Sequence, residues 1–251
     1  MEASEKPFGA LADVPDAKWR ALSTKRIYFA HMSVGDNIIA GLRDIMNENK
    51  QIRLNIVEAE SLDDIVGGAL FHSKIGYNAD PLKKIDQFER IMAKSKGKAI
   101  DIAFLKLCYV DVTAGTNTEK LFARYVQSMQ KLQAADGKVK ILHFTVPLTT
   151  LQTGPKAWIK KILGRPIAGV DDNMNRSVYN DKVRQHVPAD ALIDIALVES
   201  TSMEGRREEF EKGSARYHCL VPEYTYDGGH LNETGRRLAA ERMLLVLVNQ
   251  I

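Results

Sequence analysis

Cysteine is scarce. The 251 residues contain two, Cys108 and Cys219, and neither stands in a C-x-x-C pair or at a Cys/His ligand spacing. That excludes a zinc ribbon, a thioredoxin-type redox motif and a multi-disulfide framework. One disulfide remains open, although Cys108, at the end of an apolar run, reads as a buried free thiol. Long apolar runs are also missing: nothing approaches the about 18 consecutive residues of a membrane span. Residues 1–25 are polar, with Pro7 and Pro15 and no signal-peptide apolar segment. The start fits either a cytoplasmic chain or the mature form of a periplasmic or extracellular one. Runs of like charge are absent as well. The 35 basic and 32 acidic residues are interspersed, for a net charge of +3, so no nucleic-acid footprint stands out. No metal-ligand spacing and no cofactor motif is present, and neither an internal repeat nor a low-complexity segment breaks the pattern.

What the chain does have is alternation. Short apolar runs alternate with amphipathic helical patterns, the signature of βαβ units and a parallel sheet covered on both faces. Strands are expected at Arg26–Met32, Ile52–Glu58, Ala99–Leu107, Val139–Val146 and Leu192–Val198. The fold class is therefore α/β, a three-layer α/β/α sandwich on a five-stranded parallel sheet. Helices are expected at 36–49, where Ile38, Ile39, Leu42, Ile45 and Met46 share a face, and from Asp80-Pro81 to Lys94. Two more are expected, from Thr116 or Asn117 to about Ala135 and over Leu231–Val248. With 45% hydrophobic residues, one domain over 26–251 accounts for the chain, preceded by an extension at 1–25. An insertion at 149–173 follows the fourth strand and contains Gly154-Pro155 and Trp158. Its place after a strand's carboxyl end suits a lid or substrate wall. Two other readings stay open: a surface helix whose Trp158, Ile162 and Leu163 pack on the core, or one whose Lys156, Lys160, Lys161 and Arg165 touch an anionic surface.

The most informative segment is Tyr226-Asp227-Gly228-Gly229-His230-Leu231-Asn232, at the mouth of the last helix. A carboxylate three residues before an imidazole suits a His oriented by Asp, because the Asp fixes the ring tautomer and stabilises the imidazolium formed when the ring takes a nucleophile's proton. The matching nucleophile is Ser33, in His31-Met32-Ser33-Val34-Gly35, where the first strand breaks into a helix. In a parallel sheet both points lie on the carboxyl edge. A serine in such a place also serves as a helix cap, and Asp227 also suits a glycine-rich turn.

Early Ser33 and late Asp227-x-x-His230, followed by Asn232 and Gly235, resemble the SGNH (GDSL) hydrolase family over about residues 26–251. The resemblance implies a flavodoxin-like sheet, serine esterase chemistry with Ser33, His230 and Asp227 as triad, and no cofactor. Arg176–Arg184, with Tyr179-Asn180, is similar to the family's Asn-bearing helix. The third block departs: Gly-x-Asn-Asp falls on Cys108-Tyr109-Val110-Asp111, which puts Val110 where the family has its oxyanion-hole Asn. Losing one such donor costs about 2.7–4 kcal/mol. Substitutes are expected in Gly76 (backbone N–H) and Asn78 (side-chain amide), beside the Ser33 N–H, with Gly67-Gly68 as a rival; the same residues also make a plain turn.

Further residues shape expectations of the substrate. Lys106, inside an apolar strand, needs either Asp111 as partner or a place at the sheet rim. His31 suits either the pocket or a structural role. Lys106, Asp111, Trp158, Arg176 and His31 are thus candidate substrate contacts, and Lys106, Arg176 and Arg184 suit an anionic sugar. The family resemblance implies a small ester or an acylated carbohydrate as partner, with an O-acetyl ester first in line. Acyl transfer to a sugar by the same triad, and a non-catalytic carbohydrate-binding role, are the alternatives. Oligomeric state is not encoded in any pattern found.

Overall fold

A computed structural model describes residues 10–59, 62, 67–95 and 100–251. Six parallel strands form the sheet: β1 (Arg26–His31), β2 (Ile56–Glu58), β3 (Ala69–Lys74), β4 (Ile102–Leu105), β5 (Lys140–Phe144) and β6 (Leu192–Ile193), in the order β2-β3-β1-β4-β5-β6. A hairpin of β7 (Glu209–Lys212) and β8 (Ala215–His218) stands apart. The helices are α1 (Asp16–Ser23), α2 (Ser33–Glu48), α3 (Pro81–Lys94), α4 (Thr118–Ala135), α5 (Pro155–Ile162), α6 (Val170–His186), α7 (Ile195–Glu199) and α8 (Glu233–Asn249).

Alternation along β1 sends side chains to two cores. Ile27 and Phe29 join one with α1, α2 and α8; Tyr28 and Ala30 join the other with α3, α4 and α6. Phe29, Phe104 and Phe144 pack across three adjacent strands with ring centroids 5.0–5.6 Å apart. On α2, Val34, Ile38, Ile39, Leu42 and Ile45 form the buried stripe. Gly41 lets α2 approach α8 closely, since a Cβ there would lie 2.3 Å from the Arg236 carbonyl oxygen. Asp80, Asn117 and Asn232 cap α3, α4 and α8 by accepting the N–H groups of Lys83, Lys120 and Gly235.

The three-layer α/β/α class expected from the sequence holds, with corrections in detail. The sheet has six strands rather than five. β3, the partner of β1, was not expected: its His72 and Ser73 look polar but are buried, bonded to His31 and to the Tyr28 hydroxyl. The expected strand at 52–58 shrinks to β2, although Ile52 and Leu54 are buried outside it. Ala99 lies outside the described residues. β6 ends at Ile193, because Asp194 accepts the Leu197 N–H and starts α7. The segment 11–23 belongs to the domain rather than preceding it: Trp19 and Leu22 are buried in the α2–α8 core, and Lys18 Nζ donates to the Val248 carbonyl.

Asp111 does not pair with Lys106. Its carboxylate accepts Lys84 Nζ at 2.6 and 2.8 Å, the Cys108 N–H at 2.6 Å and the Ala79 N–H at 3.1 Å, which ties α3 to the turn after β4. Both side chains of the Lys84–Asp111 pair are fully buried. Lys84→Met should cost about 3–5 kcal/mol by leaving a buried carboxylate unpaired, while adding Asp111→Asn should recover part of that loss. Urea unfolding of both variants checks this; equal stability of Lys84→Met and wild type would refute it.

Candidate active site

The loop entering α8 is built by one carboxylate. Asp227 Oδ1 accepts the N–H groups of Gly229 (3.0 Å) and His230 (2.8 Å), and Oδ2 accepts from His230 Nδ1 at 2.6 Å. A carboxylate oxygen accepts, so Nδ1 carries the ring proton and Nε2 is left as the base. Burial acts to raise the Asp227 pKa, but the hydrogen bonds from the His230 ring and the two amides hold the carboxyl below its ordinary range. The imidazole is also flanked by two rings. Tyr226 stacks on it, with centroids 6.1 Å apart and 12° between planes, and Tyr109 meets it edge-on at 5.7 Å. Tyr109 fills the space beside Gly229, where a Cβ would lie 2.8 Å from Tyr109 Cζ.

Ser33 is the first residue of α2, half-buried at the carboxyl end of β1. The Leu231 N–H donates to Asn37 Oδ1 at 3.1 Å. Asn37 lies one turn along α2 from Ser33, so the helix mouth and the His230 loop are joined. Among the described residues no hydrogen bond joins Ser33 Oγ to His230; free enzymes commonly leave that bond long until substrate closes the site.

The other expected residues divide. His31 is fully buried and engaged at both nitrogens: Nδ1 donates to the Met32 carbonyl at 3.1 Å and Nε2 meets His72 Nδ1 at 3.0 Å. Burial pushes the His31 pKa down to about 3, so the ring is neutral at neutral pH. Its ring also occupies the space beside Gly35, where a Cβ would lie 2.3 Å from His31 Cγ. The Gly76 N–H is already committed to Gln87 Oε1 at 2.8 Å, whereas Asn78 is exposed in the same loop after β3. Gly67-Gly68 precedes β3, at the opposite edge of the sheet. Val110 lines a groove with Ala79, Pro81 and Leu82.

The cations expected to meet an anionic sugar are engaged elsewhere. Lys106 is fully buried, donating to the Leu107 carbonyl (3.3 Å) and Cys108 Sγ (3.6 Å), so neither a pair with Asp111 nor a solvated rim position applies. Arg176, 3% exposed, donates to the carbonyls of Tyr109 and Val112 (3.0 Å each), to Thr149 Oγ1 and to Asn173 Oδ1. Arg184 forms a bidentate pair with Asp194. Cys108 and Cys219 are both buried and unbridged. Trp158 is 65% exposed, and Ile162 and Leu163 are exposed with it, so these three side chains do not pack on the core.

The sequence pattern does not single out Tyr109, whose contact with His230 spans the fold, Tyr226, which stacks on the same ring from within its own loop, or Glu199. The aromatic at 109, beside the missing Asn, was the available signal.

A scan of protein-family models and a search of curated proteins found no match. Among solved structures, a carbohydrate esterase family 3 protein from Talaromyces cellulolyticus superposes with a TM-score of 0.53 at 14% identity, over 90% of this chain and 99% of that one. A G-D-S-L family protein from Desulfitobacterium hafniense DCB-2 gives 0.49 at 10% identity, over 88% and 99%. The periplasmic domain of a lipopolysaccharide acetyltransferase from Salmonella ser. Paratyphi A gives 0.43 at 12% identity, over 88% and 83%. At these identities the fold alone is what is shared: the chain has the α/β architecture of that carbohydrate esterase.

Glu199 is buried beneath the exit of β5, where it accepts the Leu148 N–H at 2.7 Å through Oε2 while Oε1 has no partner among the described residues. Burial, opposed by that amide and by the charges of Lys106 and Arg176, pushes its carboxyl up to about 8; the unfolded value is about 4.3. A raised folded pKa means that the stability contributed is complete below about pH 4.3 and is lost as pH rises through 8. Wild-type Tm should therefore decline across that window and Glu199→Gln should flatten the decline. Scanning calorimetry from pH 4 to 9 checks this, and an unchanged slope in the variant would refute it.

Proposed function

We propose that this chain is a serine esterase for short acyl esters, O-acetyl groups on carbohydrate first among them, with Ser33 as nucleophile, His230 as base then acid, and Asp227 as the orienting carboxylate. The observation that carries this reading is the 2.6 Å Asp227–His230 bond on a loop tied to the first turns of α2 by the Leu231–Asn37 bond. The fold shared with a carbohydrate esterase supports hydrolase chemistry at the level of class.

In the proposed reaction His230 Nε2 takes the Ser33 hydroxyl proton as Oγ attacks the ester carbonyl. The oxyanion forms at the N-terminus of α2, where the Ser33 N–H and the positive end of the helix dipole face it. Asn78, exposed in the loop after β3 and with no side-chain hydrogen bond among the described residues, is the second donor in this reading. The imidazolium then protonates the leaving alcohol. A water, deprotonated by the same nitrogen, releases the acyl group and Ser33 regains its proton. A sugar hydroxyl in place of that water gives acyl transfer with identical residues.

Hydrolysis of aryl acetate against aryl octanoate tests the reading. Ser33→Ala and His230→Ala should each lower kcat by about 10⁴-fold or more, and Asp227→Asn by about 10⁴-fold through loss of the correct tautomer. Acetate should be preferred, and product analysis with a sugar acceptor separates hydrolysis from transfer. Activity unchanged in Ser33→Ala would refute the triad, and no turnover of any ester would point to a binding protein.

A further inference from the structure

Helix α5 is inside out. At about 100° per residue, Pro155, Trp158, Ile159 and Ile162, with Leu163 just beyond the last turn, fall in an arc of roughly 140°. Ala157 lies opposite this arc and is buried, at 8% exposed. The small residue therefore faces the protein and the large apolar ones face solvent: Trp158 is 65% exposed, Ile159 50%, Ile162 62% and Leu163 58%. Four of the nine large hydrophobics exposed among the described residues thus lie within six consecutive positions. A soluble amphipathic helix docks the other way round, so this face is built for something outside the chain.

Charge indicates what that is. Residues 155–169 contain Lys156, Lys160, Lys161 and Arg165 and no acidic residue. Lys156 and Lys160 occupy helix positions between the apolar arc and Ala157. An outward stripe with tryptophan and branched aliphatics, bordered by lysines, suits the boundary of an anionic bilayer, where the rings and aliphatics enter the acyl region and the ammonium groups stay with lipid phosphates. A second copy of the chain fits less well, because an isologous contact would bring the two cationic segments together. The segment is also fixed at its base. The Thr150 N–H donates to the Gly228 carbonyl at 2.9 Å and the Gln152 N–H to the Ala168 carbonyl at 3.0 Å, so α5 rises from the loop that holds Asp227 and His230.

We infer that α5 is an interfacial anchor that seats this protein on anionic lipid surfaces, with the His230 loop at the rim facing the membrane. The inference is independent of which reaction the site performs. It is tested with the full chain and vesicles of phosphatidylcholine and phosphatidylglycerol (1:1) against phosphatidylcholine alone, by co-sedimentation and tryptophan emission. The chain has two tryptophans, and Trp19 is 2% exposed, so a blue shift reports on Trp158. The expected result is a blue shift and sedimentation with anionic vesicles, weak binding to neutral ones, and loss in high salt. Ile162→Ser/Leu163→Ser should abolish binding, and Lys156→Gln/Arg165→Gln should weaken it by about tenfold or more. Trp158→Phe should remove the shift while keeping most of the binding. All the substituted side chains are exposed, so circular dichroism and Tm should match wild type. Equal binding by Ile162→Ser/Leu163→Ser and wild type would overturn the inference. So would absence of binding to anionic vesicles, or lipid-free self-association abolished by those same two substitutions.

Discussion

A buried guanidinium holds the carboxyl edge of the sheet together. Arg176, on α6, donates to two carbonyls of the turn after β4, to Thr149 after β5, and to Asn173 on its own helix. Burial lowers its pKa to about 10, opposed by nearby acidic charges, and it remains charged at neutral pH. Two strand-end loops are thereby fixed against one helix, and each reaches the site. The first carries Tyr109, which wedges beside Gly229 and meets the His230 ring; the second carries Thr150, which holds the Gly228 carbonyl. A rigid guanidinium fork satisfies several acceptors at once in a way an ammonium does not. What a surface view takes for a substrate-binding cation is the brace behind the site.

The exit of β5 shows how side chains can extend a sheet. After Phe144 the backbone leaves its neighbours, and its polar groups are met by side chains: Asn180 bonds both the N–H and the carbonyl of Val146, Glu199 accepts the Leu148 N–H, and Asn173 bonds both groups of Thr149. Buried backbone polar groups require partners, and here α6 and α7 supply them. The chain can thus leave the sheet as an ordered ribbon and carry α5 outward from a stable base.

Legibility in the sequence followed the range of the interaction. Asp227 and His230 are three residues apart on one loop, so their relation could be read locally, and the helix stripe Ile38–Ile39–Leu42–Ile45 was equally plain, although the helix itself starts earlier, at Ser33. β3 was hidden because its buried His72 and Ser73 are satisfied by residues of another strand, some forty positions earlier. Lys84, not Lys106, partners Asp111, since α3 lies over the turn after β4 while Lys106 points toward Cys108. The Gly76 amide is taken by Gln87 on α3. None of these choices among equally suitable partners has a sequence signature. Tyr109 is the instructive omission: where the resembling family has a polar donor one position on, this chain packs an aromatic ring against its imidazole.

The histidine below the nucleophile turn links three positions that seem unrelated in the chain. His31 fills the space above Gly35 and meets His72 on the neighbouring strand through its far nitrogen. Any side chain at 35 would push the ring, and a displaced ring would leave the His72 nitrogen without its partner in the interior. The turn that presents Ser33 and the pairing of β1 with β3 are therefore one mechanical unit. Drift at any one of these three sites is compatible with the fold only alongside change at the others, so the identity of a residue at the sheet's second interface sets limits on the shape of the turn that holds the nucleophile.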